Sequence, residues 1–262
     1  LNTTPSTPTP AWLNKVPEVT LIFWIIKIMS TTVGETVADF LAVNVGLGVT
    51  ITDSIMAFLL AVVLRAQLRS CRYVPAIYWT TVVLISIVGT QITDLLTDVM
   101  GVSLYFSTAA FSVGLAAVFW LWHRIEKTLS IHTIFTLRRE LFYWAAILFT
   151  FALGTAAGDL ATEELGLGFQ LGVGVFGVLI AITALGYYLG GNAVLTFWIG
   201  YILTRPLGAA LGDLLSQAKT YGGLGLGAPA TSAIFLAIIL LLVTLAQRNA
   251  NKAMAIATAQ DI

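Results

Sequence analysis

The chain has 262 residues, of which 58% are hydrophobic and only 10% charged, with a mean hydropathy of +0.92. Thirteen basic residues balance thirteen acidic ones, so no charge excess points to nucleic acid, and the lone Cys71 excludes an internal disulfide framework. What these values leave is an all-α polytopic membrane protein with the lipid bilayer as its solvent.

Residues 1–17, opening LNTTPSTPTPAWLN, are rich in Thr and Pro and lack a basic start, an apolar stretch and a cleavage site, so a disordered tail is expected rather than a signal peptide. Four repeats follow, at 18–75, 76–140, 141–192 and 193–247, with a C-terminal tail over 248–262. Each repeat carries an aromatic residue followed by a marker tryptophan: Phe23 and Trp24, Tyr78 and Trp79, Tyr143 and Trp144, Phe197 and Trp198. Ten positions after each tryptophan stands a glycine (Gly34, Gly89, Gly154, Gly208), and five further an aspartate (Asp39, Asp94, Asp159, Asp213). The same spacing four times over identifies a tandem repeat.

Behind each aspartate, a glycine-containing turn precedes a second apolar run, at 51–67, 104–122, 169–188 and 229–247. A span takes about 20 apolar residues at about 1.5 Å each. Each repeat therefore supplies two helices, and the fold expected is eight transmembrane helices as four parallel-oriented two-helix units around a pseudo-symmetric centre.

Ten of the basic residues (Lys15, Arg65, Arg69, Arg72, Arg124, Lys127, Arg138, Arg139, Arg248 and Lys252) fall at the end of the spans that bears the termini. The other end has only Lys219, beside Glu163, Glu164 and Asp98. Positive residues favour the cytoplasmic side, which places both termini there. Lys27 and Arg205 fall inside spans, and Lys27 is expected to snorkel to the near interface.

The stretches FWIIKIMSTTVGETVADFLAVNVGLG, YWTTVVLISIVGTQITDLL, FYWAAILFTFALGTAAGDLA and TFWIGYILTRPLGAALGDLLS resemble a family of bacterial membrane-anchored proteins built from four tandem two-helix repeats of unknown function, each marked by one tryptophan. The resemblance covers residues 17 to 247. It implies the architecture and a multi-pass place in a bacterial inner membrane, and says almost nothing of a substrate.

Acids within spans normally face a bundle interior or a water-filled cavity and often mark an ion path. Asp39, Asp94, Asp159 and Asp213 share one register, so four central helices would hold them at one depth as a cation-binding or metal site. Thr32, Glu35 and Thr36 share the face of Asp39, and Gln91 stands near Asp94. Asp98 and Glu163, a turn further on, read either as additions to the site or as surface charges, and Glu164 as a surface charge. Gly34 and Ala38, Gly89 and Thr93, Gly154 and Gly158, and Gly208 and Gly212 form small-residue stripes for close helix packing. Arg205 reads as a fixed counter-ion for an aspartate or as a gate competing with a transported cation. Pro206 beside it is expected to kink its helix.

Carboxylate, hydroxyl and amide oxygens favour hard cations such as Mn²⁺, Mg²⁺, Ca²⁺, Na⁺ or protons. Both histidines, His123 and His132, fall between the fourth and fifth spans, which lowers copper and zinc. No cofactor is expected beyond a bound divalent cation. A GxGD aspartyl-protease motif is broken by Ala210 and Ala156, and no nucleophile has a matching base, so an enzyme is not expected. The reading is a secondary transporter of a hard cation, Mn²⁺ or another divalent metal, expected to be an exporter coupled to protons. The alternatives are a cation or proton channel and a non-transporting structural membrane protein.

Overall fold

The computed structural model describes residues 14–44 and 49–260, without the side chains of residues 39, 42–44, 49 and 253–260. Eight long helices occur among the described residues: α1 (Leu21–Asn44), α2 (Val49–Arg69), α3 (Pro75–Asp94), α4 (Leu104–Glu126), α5 (Leu137–Asp159), α6 (Gly168–Tyr188), α7 (Ala193–Ser216) and α8 (Ala228–Gln260). All eight are long and apolar enough to cross a membrane. Local chemistry starts several of them. Ser103 Oγ accepts from the Phe106 amide, Thr136 Oγ1 from the Arg139 amide, and Asn192 Oδ1 from the amides of Val194 and Leu195, while Pro75 opens α3 where its missing N–H costs nothing.

The odd-numbered helices form a closed inner ring in the order α1, α3, α5, α7 and back to α1. Each even helix packs mainly on the inner helix of the following repeat: α2 on α3, α4 on α5, α6 on α7, and α8 on α1. The last repeat thus closes against the first. Burial follows this order, with half to two-thirds of each inner span buried and 22% or less of each outer one, as expected when lipid solvates the outer faces.

The repeat glycines explain how the ring is drawn together. A Cβ on Gly34 would strike Ser86 of α3, one on Gly89 would strike Phe151 of α5, one on Gly154 would strike Arg205 of α7, and one on Gly208 would strike Thr31 of α1. Thr31, Ser86, Phe151 and Arg205 all stand seven residues after a marker tryptophan. Each glycine is therefore the notch that receives the same position of the next repeat, four times around. Gly158 faces Pro206 and Gly212 faces Glu35 and Thr36 at ordinary contact distance.

At the end bearing the termini the ring is filled by aromatic side chains. Trp79, Trp144 and Trp198 are buried and Trp24 is half-buried. Their rings meet those of Phe23, Tyr78, Tyr143, Phe197 and Tyr201 in edge and tilted contacts, and the Tyr78 and Tyr143 hydroxyls lie 2.5 Å apart. The tryptophans are turned inward, where an aromatic body contributes most by burial.

Two expectations are corrected. Residues 14–17 are not a free tail: the Lys15 ammonium is 2.6 Å from Glu140 and donates to the Leu68 carbonyl, Gln67 donates to the same carboxylate, and the Asn14 side chain accepts from the Ile134 amide. The rest of that tail, residues 1–13, lies outside the described residues. Within the C-terminal tail, residues 248–260 continue α8. His123 belongs to the last turn of α4, and only His132 lies in the connection, in a short 3₁₀ turn at Ile131–Thr133.

Candidate functional site

The ends of the inner helices opposite the termini, here the distal ends, surround a cavity of about 260 Å³. Seven acids line it: Glu35, Asp53, Asp94, Asp98, Asp159, Glu163 and Asp213, joined by Gln91, Thr97 and Gln217. That is more than half of the thirteen acids in the chain, and among the described residues no lysine, arginine or histidine shares the lining. Asp98 and Glu163 are exposed whereas Glu35, Gln91 and Asp213 are buried, so the cavity runs from the distal surface into the ring. The Gln91 side-chain oxygen is buried there without a protein donor.

Asp94, Asp159 and Asp213 reach this cavity from three inner helices. The side chain of Asp39, the fourth of the set, lies outside the described residues. No three acidic, histidine or cysteine side chains among the described residues converge as a ready metal-chelating group. The carboxylates are spread around the walls instead.

Asp94 and Asp159 each immediately precede a π-helical turn, at Leu95–Val99 and Leu160–Glu164. The wider turn carries the acid four residues on, Asp98 or Glu163, to the same cavity. Single π turns of this kind are frequent at functional sites. Glu164 is exposed and outside the lining, in keeping with a surface charge. Asp53, by contrast, comes from outer helix α2, and aligning only the first helix of each repeat overlooks it.

Thr32 and Thr36 are buried and turned toward neighbouring helices. Thr32 Oγ1 donates to the carbonyls of Ile28 and Gly208. Thr36 Oγ1 donates to the Thr32 carbonyl and lies 2.6 Å from the Ser232 hydroxyl of α8. Neither lines the cavity; both tie α1 into the ring.

One turn toward the termini from the aspartates lies a layer formed by the residues eleven after each tryptophan: Glu35, Thr90, Thr155 and Ala209. Arg205 reaches into it from α7. Its Nη2 is 2.7 Å from Glu35 Oε2 and 2.6 Å from Thr155 Oγ1, and it also donates to Thr90 Oγ1. Glu35, then, is the acid that Arg205 pairs with, from the first repeat and a turn short of the aspartates. Arg205 is fully buried, its Nε and Nη1 find no acceptor among the described residues, and its guanidinium carbon stands 5.8 Å from the centre of the Phe151 ring. Pro206 neither breaks α7, which runs unbroken from Ala193 to Ser216, nor lines the cavity; it packs against Gly154 and Gly158 of α5.

Lys27 does not snorkel. It is fully buried, its ammonium 3.0 Å from Thr31 Oγ1 and over the rings of Phe151 and Tyr201 at 4.3 and 4.4 Å. The closed ring turns this position inward, and two π faces take the place of water. The axis thus carries, in order from the distal end, an acidic cavity, the Arg205–Glu35 layer, Lys27 and the aromatic floor.

Four successive stretches of the chain, residues 22–73, 77–128, 142–191 and 196–250, match the family model described as Repeat of Unknown Function (DUF347). The chain belongs to this family. Each DUF347 match takes in one marker tryptophan, its glycine and its aspartate, so the cyclic contacts and the acidic layer are built from what the repeats share. Lys27 and Arg205 each occur in one repeat only. No curated protein and no solved structure matches the chain.

Proposed function

We propose that this protein is a secondary transporter of a hard cation, Mn²⁺ foremost among divalent metals, which leaves the cell through the distal cavity in exchange for protons. The observation that carries the reading is a cavity that, among the described residues, is walled by seven carboxylates with no basic side chain in its lining. Such a concentration of acids at the end of a membrane-spanning ring attracts cations, and its oxygen donors suit hard ones. Because a carboxylate must lose its proton to bind a metal, protons and metal compete for the same oxygens, which supplies the coupling.

Alternating access is favoured over a pore because the cavity ends at the Arg205–Glu35 layer, with Lys27 and the aromatic floor filling the axis beyond it. The basic residues at the other end support cytoplasmic termini and an outward-facing cavity in a bacterial inner membrane. The test is Mn²⁺ and proton movement in liposomes containing the purified protein. Saturable Mn²⁺ flux with opposing proton flux is expected; conductance at channel rates, or no cation-dependent flux of either ion, would overturn the reading.

A further inference from the structure

We propose that the oxygens gathered around Arg205 form a second cation site, deeper than the cavity, in which the guanidinium stands in for the transported cation; the inference rests on the transport reading above. The contacts of a single nitrogen carry it. Arg205 Nη2 is surrounded by Glu35 Oε2, Thr155 Oγ1 and Thr90 Oγ1, one oxygen from each of the other three inner helices. An Nη nitrogen has two hydrogens. Its two hydrogens serve the three oxygens only by sharing one in a three-centre bond, and the three together are the hard-donor set that a small cation takes.

The rest of the guanidinium argues the same way. A structural arginine pairs its carboxylate through two parallel bonds and spends its remaining donors on neighbouring acceptors. Here Nε and Nη1 are buried like Nη2 and have no acceptor among the described residues. Arg205 is held through one corner, an arrangement that another cation at the same oxygens can replace. Position eleven of the fourth repeat is Ala209, so helix α7, which supplies the tethered charge, contributes no side-chain oxygen at that position.

Glu35 also lines the cavity, which makes the two sites contiguous. A cation moving outward meets Glu35 before the aspartates and exchanges with Arg205 there. The carboxylate is paired before and after the exchange, so Glu35 itself is never left as an uncompensated buried charge. One carboxylate and two hydroxyls are hard donors, matching the cation class of the cavity. Arg205 is thereby a gate that closes when the deep site holds no transported ion.

The test is thermal unfolding of the full-length protein in detergent, titrated with MnCl₂ and with choline chloride at matched ionic strength. Arg205→Ala is expected to lower Tm without metal and to show a Mn²⁺-dependent rise in Tm about 5 °C larger than the wild type's at saturation. That extra rise should vanish in Arg205→Ala/Glu35→Gln and in Arg205→Ala/Thr90→Val/Thr155→Val. An Arg205→Ala response equal to wild type, or one that survives Glu35→Gln, overturns the proposal. Should Arg205→Ala not fold, Thr90→Val/Thr155→Val keeps both charges: a slower maximal Mn²⁺ flux with unchanged Mn²⁺ affinity at the cavity supports the site, and a wild-type flux overturns it. A gained metal response in a protein without flux would remove the transport reading and leave the deep site; wild-type flux without the gained response would do the reverse.

Discussion

Gly154 on α5 lies so close to Arg205 on α7 that a Cβ added to the glycine would overlap the arginine side chain. The same contact recurs between Gly34 and Ser86, Gly89 and Phe151, and Gly208 and Thr31, each time between one repeat and the next. Alanine at any of the four is expected to destabilise by about 1–3 kcal/mol, the usual cost of overpacking a filled core. Gly177, where an added Cβ meets nothing within 4 Å, is the control; alanine there should be neutral or stabilising by helix propensity. Thermal unfolding in one detergent compares the five variants directly.

The hydroxyls of Tyr78 and Tyr143 are each other's partners in the aromatic floor. Tyr143→Phe leaves the Tyr78 hydroxyl buried and unpaired, a loss of about 1–3 kcal/mol. The double variant Tyr78→Phe/Tyr143→Phe removes both polar groups and should recover most of it. A double variant as unstable as the sum of the two single variants would mean that packing, not the hydrogen bond, sets the cost.

Orientation is open to labelling. Cys71 is exposed beyond α2, at the end bearing the termini, and Tyr221 is 75% exposed at the distal end. A membrane-impermeant maleimide added to intact cells should leave Cys71 unmodified and should label a Tyr221→Cys variant made in a Cys71→Ser background. Labelling of Cys71 from outside would invert the proposed topology.

The architecture was legible because the marker tryptophan, glycine and aspartate keep one spacing in all four repeats, and because each span is long enough to be read from hydropathy alone. The three described aspartates share a cavity for the same reason. Other features depend on ring closure, which no single repeat reveals. Lys27 reads as an interfacial lysine until α1 is placed between α3, α7 and α8, and Asp53 joins the site only because α2 packs on the next repeat's inner helix. The pairing of Arg205 with Glu35 joins the fourth repeat to the first, positions 170 residues apart. The π turns that aim Asp98 and Glu163 inward leave no mark in composition or spacing.

Acid titration follows from the carboxylate walls. As pH falls, protons occupy the oxygens that a metal needs, so Mn²⁺ affinity should weaken with decreasing pH and metal binding should release protons. Calorimetry in buffers of different ionisation enthalpy reads the released protons. Binding independent of pH would place the metal away from the carboxylates.

Mn²⁺ binding to purified protein by isothermal titration at neutral pH, wild type against Asp94→Asn, Asp159→Asn and Asp213→Asn, tests the central claim most directly. Each change preserves size and one acceptor oxygen while removing one potential negative charge from the cavity wall. Folded variants with affinity at least tenfold weaker are predicted, a loss of about 1.4 kcal/mol or more. Unaltered affinity in all three folded variants would leave the aspartates with a packing role and contradict the cavity as a cation site.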